Sequence, residues 1–168
     1  MPKVTIGITT YGPIPRAQRL VKTILDTIDP DISYDIAIAD DSSGGKFDNK
    51  DRRDFCKNHG IALLESPTIT GIPASWNRLV AYARQQESDI VVILSDGVRF
   101  LVSGWLSRMV YFLDNNEKIG TVGTPTVGGP TFDPTDSRWD GHPDRVGCAV
   151  GCSFAFRTEV HSLIKNVD

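Results

Sequence analysis

The sequence predicts an α/β domain built on a mainly parallel central sheet. Strand-like and helix-like segments alternate along the chain, in the order β-α-β-α-β-α-β-α-β, which is typical of helices packed on parallel strands. Residues 90–94 (IVVIL) form a continuous apolar run, as expected for a strand buried on both faces. The chain has 168 residues, which suits one domain, so residues 1–168 are predicted to fold as a single unit.

The first part of the chain is predicted to contain three strands and two helices. Apolar residues alternate over 4–8, which predicts the first strand. Residues 34–39 predict the second strand, and residues 61–64 predict a short third one. A polar helix is expected over 47–59, closed by Gly60. Between the first two strands, helical spacing predicts an amphipathic helix through Ala17, Leu20, Val21, Ile24, Leu25 and Ile28.

The second part continues the alternation on both sides of the buried run. A helix beginning near Pro73 has an apolar face formed by Trp76, Leu79, Val80 and Ala83. Residues 105–113 predict another helix, with Leu106, Met109, Val110 and Leu113 directed inward. Strands are expected at 119–122 and 148–156, and a short helix at 158–163. Residues 124–147 show little periodicity and predict a long loop.

Composition and charge exclude several classes of protein. The chain is 40% hydrophobic, which supports a real core, and its formal net charge of −3 argues against a nucleic-acid or anionic-lipid binder. The apolar run at 90–94 is too short to span a bilayer. The N-terminus enters a strand pattern at once, with no signal peptide. We therefore expect a cytoplasmic protein without a transmembrane segment and without a nucleic-acid partner.

Polar side chains follow three of the predicted strands. Thr9 and Tyr11 close the first strand, the pair Asp40 and Asp41 follows the second, and Ser95-Asp96 follows the buried fourth strand. Because parallel sheets bind ligands beyond the carboxyl ends of their strands, these side chains are expected along one edge. The Tyr11 ring can stack on a nucleobase or simply cover the sheet edge.

The three acidic residues at this edge have both structural and functional interpretations. Asp40 and Asp41 are adjacent, so they point to opposite faces and at most one can meet a ligand directly. The other can cap the following turn. Asp96 can hold a hard cation such as Mg²⁺ or Mn²⁺ together with substrate phosphates, but Ser-Asp-Gly is also an ordinary turn sequence.

Other common sites are missing from the sequence. No GxGxxG follows the first strand, and neither a GxxxxGK[ST] loop nor a GxSxG turn is present. The three histidines are too scattered to form a metal cluster, and His142 alone lies in a loop of plausible function. Cys56, Cys148 and Cys152 lack the spacing of a zinc site and are expected to be buried and reduced.

Five segments, in order, resemble the inverting family 2 glycosyltransferases. Residues 4–11 (VTIGITTY) match that family's hydrophobic strand followed by T-x-Y/F, and residues 36–43 (IAIADDSS) match I-V-D-D-x-S. Residues 71–77 (GIPASWN) match G-x-x-x-x-x-N, and residues 90–98 match the strand and turn of the DxD motif. Residues 104–106 (GWL) match the start of the next helix. The resemblance covers residues 3 to about 160 and implies a Rossmann-like GT-A fold.

The resemblance implies a role for each matching residue. Thr9 and Tyr11 hold the nucleobase, the tyrosine by stacking, and Asp41 or alternatively Asp40 accepts its ring N–H. Nucleotide binding is completed by two further residues, Asn77 and Ser95. The donor is a nucleoside diphosphate sugar, for example a UDP-sugar, and the acceptor is a carbohydrate or another hydroxyl compound.

The resemblance also implies a divalent metal, Mn²⁺ or Mg²⁺, on the donor diphosphate. If residues 95–97 align with D-D-N, Asp96 is the metal ligand and Ser95 replaces the ribose-binding acid. If they align with D-x-D, Gly97 replaces the metal ligand. The first alignment preserves a carboxylate, which favours Asp96 as the ligand.

Inversion requires a general base, which in this family lies beyond the strand predicted here at 148–156. The sequence ends at Asp168, so the domain is expected to lack this base and much of the acceptor subsite. The substitute candidates are Asp140, His142 and Asp144. Two alternatives stay open: a non-catalytic module of the same fold that binds a nucleotide or sugar, and a receiver-like phosphoacceptor at Asp40 or Asp41.

Overall fold

The computed structural model describes residues 2–42, 49–123 and 153–159. In these ranges six strands and four helices follow one another along the chain. They are β1 (Val4–Thr10), α1 (Pro15–Thr27), β2 (Tyr34–Asp40), α2 (Asn49–Asn58), β3 (Ala62–Glu65), α3 (Ile72–Gln85), β4 (Ile90–Ser95), α4 (Trp105–Asp114), β5 (Thr121–Gly123) and β6 (Ser153–Arg157). The predicted loop at 124–147, the start of the predicted last strand and most of the predicted final helix lie outside the described residues.

The strands form one sheet in the order β3-β2-β1-β4-β6-β5. The four strands from β1 to β4 are mutually parallel where they pair, which confirms the predicted parallel sheet. On the far side of β4, β6 runs antiparallel to β4 and β5 antiparallel to β6. The sequence pattern did not indicate this reversal, because the direction of a short strand leaves no mark on its alternation.

The sheet separates two apolar clusters, one on each face. Even-numbered residues of β1, β2 and β4 pack against α1, α2 and α4, and odd-numbered residues of the same strands pack against α3. Buried residues of the predicted helical faces include Leu20, Ile24, Leu79 and Leu106, as their spacing indicated. Leu25 is a correction: it is 47% exposed, because α1 turns this position toward solvent.

Helix α3 lies unusually close to β1. A Cβ built on Gly7 comes within 2.9 Å of the Leu79 side chain, so only glycine permits this distance without displacing leucine. At its N-terminus α3 begins after Gly71, whose φ of 86° lies in the left-handed region. The start of α3 lies beside the carboxyl end of β2, because the N–H groups of Thr70 and Gly71 donate to the Asp41 carboxylate. None of the described helices is long and apolar enough to cross a bilayer.

Candidate functional site

The carboxyl ends of β1, β2 and β4 meet at one edge of the sheet, as predicted. Thr9 pairs with Ser95 across β1 and β4, and Thr10 pairs with Asp40 across β1 and β2. The chain then continues by one more residue in register, because the Asp41 N–H donates to the Thr10 carbonyl at 3.0 Å. The sequence-predicted residues of these three strands are therefore brought together.

Strand alternation divides these residues between the two faces of the sheet. Thr9 and Ser95 occupy odd-numbered positions on the face covered by α3, and Asp41 follows on that side. Thr10 and Asp40 occupy even-numbered positions on the opposite face, and Thr10 is hydrogen-bonded there to Asp96. The nucleotide-binding residues expected from the sequence thus fall mainly on the α3 face, with Asp96 just across the sheet edge.

Asp41 is held by the loop that precedes α3. Its carboxylate accepts hydrogen bonds from Thr70 Oγ1 at 2.7 Å, Thr70 N at 2.9 Å and Gly71 N at 2.6 Å, with Arg78 Nη2 at 3.5 Å. Burial raises the pKa of Asp41, but the hydrogen bonds from Thr70 and Gly71 and the charge of Arg78 outweigh burial and hold it below 3.8. Asp41 is therefore a fixed, ionised acceptor at the edge.

Asp40 points away from that site into the interior. Its side chain is fully buried and forms an ion pair with Arg52 of α2, itself fully buried. Asp40 Oδ1 also accepts hydrogen bonds from the backbone N–H and the hydroxyl of Ser42, at 2.9 and 2.6 Å. Of the two adjacent aspartates, Asp41 is therefore held by the loop before α3, and Asp40 is held in the interior by Arg52 and Ser42.

Asp96 lies at the end of β4, buried but at the margin of the sheet. Its Oδ2 accepts a 2.8 Å hydrogen bond from Thr10 Oγ1, and its backbone N–H donates to the Thr9 carbonyl at 3.1 Å. Among the described residues no hydrogen bond to Oδ1 is formed. One carboxylate oxygen of Asp96 is thus oriented by a hydrogen bond from Thr10.

Tyr11 follows β1 directly and its side chain is 56% exposed. Two further apolar side chains, Ile69 and Ile72, are exposed on either side of the Thr70–Gly71 segment that binds Asp41. An exposed aromatic ring and a fixed carboxylate at the same sheet edge offer groups for the flat face and the polar edge of a heterocycle. Tyr11 and Asp41 therefore give this edge of the sheet groups that suit a flat, polar ligand.

The remaining predicted residues border this edge or lie outside the described chain. Ser95 ends β4 half-buried, and Asn77 lies half-buried in the first two turns of α3. Thr9 Oγ1 donates to the Leu94 carbonyl at 3.3 Å. The proposed substitute bases, Asp140, His142 and Asp144, lie outside the described residues.

A cavity of about 610 Å³ lies at the opposite, amino-terminal edge of the parallel strands. Its lining includes Pro2, Ser88, Asp89, Asp114, Arg157, Thr158 and Glu159. The Arg157 guanidinium donates hydrogen bonds to the carbonyl of Leu113 in α4 and to the carbonyls of Asn116 and Ile119, which follow that helix. None of the predicted site residues lines this cavity, and parallel sheets bind ligands at the other edge.

Three features of the site were missed by sequence reasoning. Arg52 stands in the charged run KDRRD, where nothing separates a buried arginine from exposed ones. Thr10 carries no distinguishing signal between Thr9 and Tyr11, although it orients Asp96. Arg78 adjoins the predicted Asn77, and only the structure brings it to Asp41.

The described residues contain no group of three His, Cys, Asp or Glu side chains that could hold a metal ion on its own. Asp96 is therefore a single protein ligand at most in this part of the chain. Mg²⁺ and ions like it are commonly held by one or two carboxylates together with substrate phosphates. The residues present fit that kind of shared metal and do not fit a preformed cage.

Comparison with known proteins identifies the family. A profile described as glycosyl transferase family 2 matches residues 5–161. No curated protein sequence matches the chain.

Solved structures match the fold. The mannosyltransferase PcManGT from Pyrobaculum calidifontis, solved in complex with GDP-Man and Mn²⁺, is 18% identical, with a TM-score of 0.74 over 99% of this chain. TarS residues 1–349 from S. aureus are 14% identical, with a TM-score of 0.67 over 95% of this chain. The chain spans 48% of each of those structures. Because the family profile matches residues 5–161, the chain belongs to glycosyl transferase family 2, and the similarity to these structures shows that its α/β domain has the GT-A fold.

Proposed function

We propose that the edge formed by β1, β2 and β4 binds a nucleoside diphosphate sugar, and that the domain transfers the sugar to an acceptor hydroxyl with inversion. The observation that carries this proposal is the arrangement of an exposed Tyr11 ring, the ionised Asp41 and the half-engaged Asp96 along one sheet edge. Membership of the family supports glycosyl transfer. The donor, the stereochemistry and the metal are our proposals.

Tyr11 and Asp41 are proposed to bind the nucleobase. The exposed ring offers a stacking surface, and the lowered pKa of Asp41 keeps its carboxylate ionised, so that it can accept a ring N–H in addition to the hydrogen bonds from Thr70 and Gly71. Thr9 and Ser95 pair across the sheet on the same face and offer hydroxyls toward the base and ribose. Asn77 offers an amide from α3. A UDP-sugar and a GDP-sugar both present the required ring N–H.

Asp96 is proposed to hold Mn²⁺ or Mg²⁺ through the oxygen that Thr10 does not engage. PcManGT was solved with Mn²⁺, which supports a divalent ion in this fold. When bound, such an ion neutralises negative charge on a departing diphosphate. Thr10 keeps the Asp96 carboxylate in one orientation, so that no side-chain reorganisation is needed on binding.

Transfer with inversion forms a bond from the acceptor oxygen to the anomeric carbon while the bond to the diphosphate breaks. The bonding electron pair leaves with the nucleoside diphosphate, and the hydroxyl proton passes to a general base. The substitute candidates for this base within the chain are Asp140, His142 and Asp144, and a segment that follows Asp168 in a longer protein is the alternative source. A non-catalytic binding module is the second candidate, favoured by the single carboxylate in Ser95-Asp96-Gly97.

The first test is calorimetric titration with UDP, GDP, CDP and ADP, each in Mn²⁺ and in EDTA. We expect selective binding of one nucleotide that depends on Mn²⁺. Binding of none of the four would overturn the proposed donor site. A transfer assay with the matching sugar nucleotide and a panel of hydroxyl acceptors then separates the two candidates, since a binding module releases no nucleoside diphosphate.

A further inference from the structure

Arg52 is a fully buried arginine in helix α2, most of whose residues are polar or charged. Its neighbour Arg53 is exposed and forms an ordinary surface ion pair with Glu65. Arginine is rarely buried completely unless its charge and its donors are matched. The position of Arg52 therefore requires an explanation from its contacts.

The Arg52 guanidinium connects three separate parts of the chain. Nη1 contacts the Asp40 carboxylate at the end of β2 and donates to the Ser42 hydroxyl just beyond it. Nη2 donates to the carbonyl oxygen of Gly12, in the loop that follows β1. Asp40, Ser42 and Gly12 are all buried, so every one of these contacts is shielded from water.

The contact with Gly12 bears directly on Tyr11. Among the described residues, no other hydrogen bond holds the backbone of Tyr11 or Gly12 once β1 has ended at Thr10. The exposed Tyr11 ring therefore stands on a short segment whose backbone is tied to the protein by Arg52. A planar guanidinium binds the carboxylate and the carbonyl through two nitrogens held in a rigid fork, whereas a lysine ammonium places its donors on one centre at the end of a flexible stem.

A buried ion pair is a poor device for stability alone. Removing two charges from water is costly, and well-packed apolar residues often stabilise a core equally well. The Arg52–Asp40 pair does what two apolar side chains could not, because the guanidinium also donates a hydrogen bond that holds the Gly12 carbonyl in one position. This favours a role in shaping the edge of the sheet.

We propose that Arg52 is a positioning residue that holds the Tyr11–Gly12 segment, and with it the Tyr11 ring, in the orientation that receives the nucleobase. Asp40 keeps the guanidinium in place. The inference rests on the proposed binding of a nucleotide at Tyr11. It assigns no contact with the ligand to either Arg52 or Asp40.

The test compares the unmodified chain with Arg52→Lys, with the double variant Asp40→Asn/Arg52→Met, and with Arg53→Met as the matched control on the same helix. The double variant removes both buried charges together, so it leaves no unpaired ion and is expected to fold. Each protein is titrated with UDP and GDP in Mn²⁺, and with inorganic pyrophosphate in Mn²⁺. Pyrophosphate reports the phosphate and metal subsite without the base.

We expect nucleotide affinity to fall about tenfold in both Arg52 variants, which is the size of a lost stacking contact. Pyrophosphate affinity and the Arg53→Met control are expected to remain unchanged. An equal loss of nucleotide and pyrophosphate affinity in the folded variants, or no loss of either, would overturn the positioning role while leaving the proposed site intact. If the unmodified chain binds neither UDP nor GDP, the proposed function itself is wrong, and the inference about Arg52 is wrong with it.

Discussion

Thr10 Oγ1 donates a 2.8 Å hydrogen bond to Asp96 Oδ2 and so joins the end of β1 to the end of β4. The bond lies where the chain leaves the sheet on two adjacent strands, next to the exposed Tyr11. It gives one carboxylate oxygen a fixed direction and leaves the other without a hydrogen-bond partner among the described residues. The proposed metal ligand is therefore oriented before any ligand arrives.

Replacing Asp96 by alanine should abolish Mn²⁺-dependent nucleotide binding and leave the domain folded. The carboxylate is at the sheet margin, and the Thr10 hydroxyl that loses its partner is close to the same margin. Calorimetric titration in Mn²⁺ and in EDTA, together with a thermal melt, measures both effects. Asp54→Ala, which removes an exposed carboxylate paired with Lys50, is the control and should change neither. A folded Asp96→Ala variant whose affinity still rises with Mn²⁺ would refute the assignment.

Tyr11→Ala should weaken nucleotide binding by roughly 1–3 kcal/mol, because a base loses its stacking partner. Tyr11→Phe should keep most of the affinity, since the ring remains. Tyr111→Ala is a matched control, as Tyr111 is similarly exposed but lies on α4, away from the sheet edge. Titration with the preferred nucleotide and with pyrophosphate is the measurement. Equal losses for both ligands would argue against a base pocket at Tyr11.

Asp41→Asn should destabilise the domain at neutral pH by about 1–3 kcal/mol. In the unmodified chain the N–H groups of Thr70 and Gly71 donate to the Asp41 carboxylate, and an amide places an NH₂ donor against one of them. The folded-state pKa of Asp41 lies below its ordinary 3.8, so its contribution to stability is present above that value and is lost as the pH falls through the folded-state pKa. The difference between the two proteins should therefore shrink in acid. Urea unfolding from neutral pH to below 3.8 measures it.

The pKa of Asp35 is shifted in the opposite direction to that of Asp41, so its variant should show the opposite pH dependence of stability. Burial raises the pKa of Asp35, and this effect is larger than the lowering by the hydrogen bond from Thr5 and by the charge of Lys3. The net result is a pKa above 3.8. Its charged form is disfavoured by folding, and this penalty disappears as the pH falls and the group is protonated. Asp35→Asn should thus gain stability relative to the unmodified chain at neutral pH and lose that advantage in acid. If the stability differences of the Asp41 and Asp35 variants changed in the same direction with pH, the variant that departs from its predicted direction would contradict its assignment.

Cys56 should resist alkylation in the folded protein. It is 2% exposed, and burial, with the nearby charges of Asp40 and Glu65, raises its pKa to about 11 against the lowering effect of Arg52. At pH 8 only about one such thiol in a thousand is ionised, and the thiolate is the reactive form. Iodoacetamide labelling followed by peptide mass analysis should find Cys56 modified only when urea unfolds the chain. Rapid labelling without urea would show that α2 detaches readily.

The alternation of strands and helices could be predicted from the sequence because each element carries a strong local pattern. Residues 90–94 and the spacing of Leu20 and Ile24 are examples, and their burial agrees with the prediction. The exposure of Leu25 and the antiparallel direction of β6 could not be predicted, since both depend on which elements become neighbours. Local periodicity contains no information about that choice.

The site shows the same division. Asp41, Tyr11 and Asp96 could be named because polar residues at strand ends gather at one edge of a parallel sheet. The distinction between Asp41 and Asp40 needed the partners themselves, Thr70 and Arg52, which lie 29 residues after Asp41 and 12 residues after Asp40 in the sequence. Arg52 stands in the charged run KDRRD, so the sequence does not distinguish it from its exposed neighbours.

The hydrogen bond between Thr10 and Asp96 spans 86 positions of the chain. A contact between residues so far apart in the sequence closes a long loop and carries a cost in chain entropy. The edge that we propose for the nucleotide is thus incomplete until β4 has paired with β1, and a partly folded chain offers no equivalent surface. A ligand that binds here selects the finished fold and stabilises it by mass action. In a refolding experiment, the fraction of molecules that binds nucleotide would therefore measure the fraction that has reached the native state.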